Sequence, residues 1–165
     1  MIEMLAAMAI LATVLAPLTA VMLGARSSAT NLDSSFQAQL QAGLALDRLR
    51  RDVRCSSAIT PVGAATAVVL TQPTGCSGGG GQVRWCTIGS GTRYKLYRTT
   101  GATCDSSGTL VADYLVSANA FTYTAPVAAT SLGNLAVSLQ VNVSPATAST
   151  LYKLADTIVL LNTTR

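Results

Sequence analysis

Glu3 is the only charged residue among the first 25 positions, and it opens an apolar run from Met4 to Leu23. A helix made from such a run is long enough to cross a bilayer. An ionised carboxylate at the edge of hydrocarbon is costly unless it meets an opposite charge, so Glu3 implies a partner supplied from outside the segment. The expected partner is the amino terminus of another copy.

The remaining sequence is long enough for one folded head, since removing residues 1 to 30 of the 165 still leaves an ordinary domain length. Charged residues make up 11% and aromatics 5% of the chain, and Ala, Thr, Ser, Gly and Val are abundant. That balance predicts a β-rich body with a hydroxyl-covered surface, of the kind common on extracellular proteins. The net charge is +4, and four of the eleven basic residues, Arg48, Arg50, Arg51 and Arg54, fall in one stretch beside Asp47 and Asp52. With two acids interspersed and little aromatic interleaving, this stretch gives DNA scant support as a partner. Cations in the last turns of a helix complement its dipole without any ligand.

Histidine is absent, which removes the usual general base, the Ser/His and Cys/His nucleophile pairs and the commonest zinc ligand. No enzyme activity, catalytic residue, metal or cofactor is expected. The glycine run Gly78 to Gly81 is not a phosphate loop, because no Lys-Ser/Thr follows it and no helix begins there. Asn142-Val143-Ser144 and Asn162-Thr163-Thr164 match the acceptor pattern for N-linked glycans, the first followed by Pro145, and neither enters the functional reading.

The cysteines are Cys55, Cys76, Cys86 and Cys104, and none forms a C-x-x-C pair. An even count in a domain that follows a membrane-crossing segment predicts two disulfides formed outside the cytoplasm, with three connectivities open. Of these, Cys55–Cys76 with Cys86–Cys104 is the pairing expected.

From Met1 to about Ser57 only Pro17 and a weak patch of Gly, Ser, Thr and Asn between Gly24 and Ser35 oppose a helix, so one long helix of roughly 80 Å is predicted. Its first half is apolar all round. In its second half Leu32, Phe36, Leu40, Leu44 and Val53, joined by Leu46 and Leu49, recur at helical spacing, with Gln37, Gln41, Arg48, Arg51 and Asp52 on other faces. That stripe is expected to seat a sheet. Pro17 removes a backbone donor and should kink or loosen the helix near Thr13 to Leu18, and Thr60-Pro61 is expected to end it.

Beyond Pro61 short apolar runs alternate with turn chemistry. Val83 to Ile88 and Arg93 to Arg98, joined by Gly89-Ser90-Gly91-Thr92, form the clearest hairpin. Ala67 to Thr71, Thr109 to Leu115, Ala120 to Tyr123, Leu135 to Val143 and Thr157 to Asn162 read as further strands, and the row Leu135, Val137, Leu139, Val141 and Val143 gives one buried face. Trp85, Tyr94 and Tyr97 are expected as core and cross-strand contacts rather than as a stacking platform.

The start Met1-Ile2-Glu3-Met4-Leu5-Ala6-Ala7-Met8-Ala9-Ile10-Leu11 resembles the amino-terminal signature of type IV pilins and type II secretion pseudopilins, in which a processed end similar to Phe-Thr-Leu-x-Glu precedes an apolar helix. Met1, Ile2 and Glu3 fit the last three places of that end. Two processed residues and the leader then fall outside this sequence, so Met1 is not assigned as the methylated residue. The run Ala45-Leu46-Asp47-Arg48-Leu49-Arg50-Arg51-Asp52-Val53-Arg54 is similar to the helix end of J-type pseudopilins and their pilin-like relatives.

The resemblance implies a pilin-like α+β fold, with the long N-terminal helix packed on an antiparallel β-sheet head. Residues 1–30 would be the transmembrane or filament-core half of the helix, 31–57 the amphipathic half, and 58–165 the head. It also implies a homo-oligomeric filament shared with other pilins or pseudopilins, a single-pass stay in the cytoplasmic membrane before assembly and an extracellular pilus or cell-surface position afterwards. An assembly platform and a prepilin peptidase are the implied partners. The functional expectation is therefore a structural filament subunit in which Glu3 sets register. The rival is a membrane-anchored extracellular domain that binds a wall polymer or DNA through Trp85 and the Tyr94/Tyr97 strand and does not polymerise.

Overall fold

The computed structural model describes residues 2–76, 80–101, 103–127, 131–143 and 151–162; within its helix the side chains at 2, 3, 5–7, 9, 10, 12 and 14 lie outside the described set. One helix, α1, spans Ile2–Cys55 and runs unbroken through Pro17. Nine strands follow: β1 Ala58–Thr60, β2 Gly63–Ala65, β3 Ala67–Gln72, β4 Gly81–Ser90, β5 Arg93–Thr99, β6 Thr109–Leu115, β7 Phe121–Thr124, β8 Asn134–Val141 and β9 Tyr152–Val159. The chain divides into two units, Met1–Phe36 and Gln37–Arg165.

The first unit is helix alone. Four of its hydroxyls are spent locally, with Thr19, Ser27, Thr30 and Ser34 donating to carbonyls three or four residues back. Side chains that bond this way stay compatible with a helix despite their preference for turns.

In the second unit, residues 37–55 of α1 and all nine strands share one core. The strand order is β1-β3-β4-β5-β6-β8-β7-β2, with β9 added on β8 and every pairing antiparallel. Strands β1 and β2 occupy opposite ends of that path, yet only Pro61 and Val62 separate them in sequence. Three Cα steps reach at most about 11 Å, so the sheet has to curl until its two ends nearly meet, which makes a half-barrel. Thr87 stitches this seam. Its amide donates to the Thr66 carbonyl at 2.9 Å and its hydroxyl to the Ala118 carbonyl at 2.6 Å.

Alternation sends one side of each strand into the hollow of the curl. In β8 that side is Leu135, Val137, Leu139 and Val141, all buried. The β4–β5 hairpin closes through Gly91 and Thr92, and Gly91, at φ 63°, supplies the positive φ that a two-residue hairpin loop favours at its first position. Disulfides join Cys55 to Cys76 and Cys86 to Cys104. In the chain-entropy picture each closed loop contributes about 3 kcal/mol by restricting the unfolded chain.

Three expectations are corrected. The expected pilin-like α+β arrangement, a long apolar helix packed on an antiparallel sheet, gives way to a predominantly sheet body. Every regular element after α1 is a strand, and no long apolar helix is present among the described residues. For the same reason the expected single pass through the cytoplasmic membrane is overturned: among the described residues no helix is long and apolar enough to cross a membrane. Among the residues whose side chains are described, the continuous stretch begins at Leu15, and its apolar run ends at Leu23, followed by Gly24, Arg26, Ser27, Ser28, Thr30, Asn31 and Asp33. The two disulfides remain compatible with an extracellular location.

The third correction concerns the face of α1 that meets the sheet. Leu32, Phe36, Leu40 and Leu44 are exposed, and the buried residues are Ala38, Ala42, Ala45, Leu46, Leu49 and Val53. Leu40 and Leu49 are nine residues apart, half a turn out of phase at 3.6 residues per turn, so α1 carries two apolar faces where the sequence was read as having one. The helix ends at Cys55 rather than at Thr60-Pro61, which instead falls where β1 passes to β2. Short β1 and β2 and the first half of β9 were not anticipated.

Ala42 is fully buried and Leu44, two positions on, is largely exposed. Ala42→Leu should therefore cost about 1–3 kcal/mol by overpacking the helix–sheet core, whereas Leu44→Ala should stay within about 0.5 kcal/mol of the parent. Urea unfolding of the two variants reads this difference, and the reverse order would place the other face of α1 against the sheet.

Candidate functional site

The most organised polar cluster lies where α1 meets the middle of the sheet. Asp52 follows Ala45 and Leu49 at helical spacing on the buried face, so its carboxylate enters the core with them. The β4–β5 register sets Trp85 directly opposite Arg98, and both side chains converge on that carboxylate. Trp85 Nε1 donates to Asp52 Oδ2 at 2.9 Å, Arg98 Nε to the same oxygen at 2.7 Å, and Arg98 Nη2 to Oδ1 at 3.4 Å. The Asp52 backbone carbonyl accepts from Ser56 Oγ at 2.6 Å and from Gln72 Nε2 at 3.3 Å. The pair is almost wholly buried, with side-chain exposures of 12% for Arg98 and 6% for Asp52. Such a pair is stable only when it is matched and hydrogen-bonded, and here one helix and two strands supply the matching groups.

This cluster was not read from the sequence, which placed Asp52 on an outer face. The available signal was its spacing from Ala45, Leu49 and Val53. Trp85 is fully buried and Tyr97 nearly so, while Tyr94 is half-buried against the core. Trp85 therefore offers no face for stacking a ligand. The Arg93 guanidinium sits 4.9 Å from the Tyr114 ring centroid, and Lys95 pairs with Asp113 at 3.5 Å.

The arginine run divides. Arg50 Nε bonds Asp156 Oδ2 at 2.7 Å and Arg50 Nη1 bonds Asp47 Oδ1 at 2.8 Å, tying α1 to β9. The hydrogen bond from Arg50 holds the Asp156 carboxyl below its usual range against the opposing effect of burial, and the Thr157 amide helps. Asp156 in turn holds the Arg50 proton more tightly than usual. Arg48, Arg51 and Arg54 are exposed and enter no salt bridge among the described residues.

In the first unit the Glu3 side chain lies outside the described residues, so its expected pairing role rests on the sequence. The described side chains there show a different regularity. Met4, Met8, Leu11, Leu15, Leu18, Met22, Ala25, Ala29, Leu32 and Phe36 follow one another at alternating steps of four and three, the spacing of a heptad repeat. Every one of them is exposed, and the large members are 50–76% accessible. Pro17 falls between two seam positions. The spacing is present in the sequence but hidden there by the all-round apolar character of the run.

No family model, curated protein or solved structure matches this chain.

Two outcomes are expected from the polar contacts. Asp52→Asn leaves Arg98 buried without a counter-charge and should cost about 3–5 kcal/mol, while Asp52→Leu combined with Arg98→Met should cost clearly less; urea midpoints of the three chains decide it. Because the Asp156 carboxyl is depressed in the folded protein, its contribution is complete above its ordinary value of 3.8 and is lost as pH falls through the folded value. The stability gap between the parent and Asp156→Asn should therefore be flat from pH 7 to about 5 and shrink below about 4, as read by thermal melts across that range. A gap that grows on acidification would contradict the assignment.

Proposed function

We propose that this chain is a non-enzymatic structural subunit that polymerises into a pilus-like filament through the helix of its first unit. The observation that carries the reading is the exposed heptad seam from Met4 to Phe36. An apolar surface of this extent, unpartnered within its own unit, is the mark of an interaction surface. Its four-and-three spacing specifies the partner's geometry: another helix, whose side chains fill the holes between seam residues. Burying each large side chain stabilises the assembly by roughly 1.5–3 kcal/mol, so a seam of this length supports association between copies.

The likeness of residues 1–11 and 45–54 to pilins and pseudopilins supports the same reading from the sequence. In it, Glu3 pairs with the amino terminus of a neighbouring copy and fixes register, since a misplaced helix would leave a carboxylate uncompensated among apolar side chains. The absence of histidine and the burial of Trp85 favour assembly over catalysis or aromatic ligand stacking. The second unit, closed around its own core, is the part each copy displays.

Sedimentation velocity with negative-stain microscopy tests the proposal on the purified chain. The parent is expected as elongated polymers. Leu11→Lys with Leu18→Lys should leave single molecules, and Glu3→Ala should shorten or abolish the polymers. A parent that stays monomeric, or seam variants that polymerise normally, would overturn it.

A further inference from the structure

Within the second unit, α1 and β9 enclose an open cleft of about 810 Å³. One wall is helix, bearing Leu44, Arg50, Arg51 and Arg54; the other is the last half of β9. This strand pairs with β8 along its whole length and with no other strand among the described residues. Leu160 N–H donates to the Gly133 carbonyl at 2.9 Å, which fixes the phase of the antiparallel ladder. Ile158, Asp156 and Leu154 turn their backbone groups toward β8, and Val159, Thr157, Ala155 and Lys153 turn theirs away. The Thr157 amide is engaged by the Asp156 carboxylate. Among the described residues the outward backbone groups of Ala155 and Val159 meet no other strand, which leaves β9 a sheet edge there.

The walls say what kind of strand fits. The helix wall carries three guanidiniums and Asp47, the strand wall carries Asp156, and Arg50 bonds both acids. Arg51 and Arg54 form no salt bridge among the described residues, Arg54 acting on Asp156 through its charge alone, and Leu44, Val159 and Leu161 expose apolar surface beside them. A free edge supplies main-chain hydrogen bonds, and the flanking side chains select alternate residues of the incoming chain.

We propose that this cleft is a docking site in which an extended, acidic segment of a partner polypeptide adds as a strand to β9, with its carboxylates on Arg51 and Arg54 and its alternate apolar residues on the opposite face against Val159. The site lies wholly in the second unit and is independent of helix-driven assembly.

Fluorescence anisotropy of the full chain tests it with three labelled nonapeptides: one alternating glutamate with valine, its lysine-for-glutamate counterpart, and the glutamate peptide N-methylated at alternate backbone amides. The glutamate peptide is expected to bind and the lysine and N-methylated peptides to bind at least about tenfold more weakly. Arg51→Glu with Arg54→Glu, both exposed and outside the core, should reverse the preference between the glutamate and lysine peptides, while the lost helix-end cations lower the thermal melt only slightly and leave it cooperative. The proposal is overturned if the glutamate peptide does not bind, or if the N-methylated peptide binds equally well, which removes strand addition. Full displacement of the glutamate peptide by inorganic phosphate would also overturn it, because the cleft would then be a simple anion site.

Discussion

The contact on which the second unit depends is the Asp52 carboxylate received by Trp85 and Arg98. A charge on the core face of a helix is unfavourable by itself, and so is a buried guanidinium in a sheet. Each becomes tolerable only where the other is found, so the pair specifies where along α1 and where across the sheet the two elements meet. Trp85 and Arg98 stand directly opposite each other, which makes Asp52 a clamp on the β4–β5 pairing as well as on the helix. Ser56 and Gln72 use the carbonyl of the same residue, and the Cys55–Cys76 disulfide lies one position on. The end of the helix, the third strand and the central hairpin are thus tied at one place.

With the helix held there, the curl of the sheet follows from chain connectivity. Two linking residues cannot join the ends of an eight-strand path unless those ends approach, and the hollow that results is filled by the inward rows of the strands and by the alanine-rich face of α1. The same geometry turns Leu40 and Leu44 outward. Among the described residues of the first unit every large apolar side chain is exposed, and the seam they form is the surface on which the proposed assembly rests.

Much of the sheet was legible because its signals are local. Thr109–Leu115 was read with its observed bounds, the β4–β5 hairpin announced itself through Gly91 between two β-forming runs, and the β8 row followed from strict alternation. An even cysteine count pointed to two bridges, and two are present. What failed depended on distant partners. The face of α1 that meets the sheet was misjudged because two apolar stripes lie half a turn apart and the larger residues sit on the wrong one; alanines won because the sheet, not the helix, decides which face is covered. Asp52 was read as a surface acid because its partners lie 33 and 46 residues away. The three-residue strands β1 and β2 carry too little pattern to be seen without the edges they join. The apolar run was read as a membrane span from its length, whereas among the described residues no helix is long and apolar enough to cross a membrane.

Hydrogen exchange of the native protein tests the clamp most directly. If Asp52 joins helix and sheet into one cooperative unit, amides of residues 45–53 and of the β4–β5 pairing around Trp85 and Arg98 will exchange through the same opening, with equal protection and equal sensitivity to denaturant. Helix amides that exchange well before those of the hairpin would contradict it, by showing that α1 leaves the sheet while the hairpin stays intact.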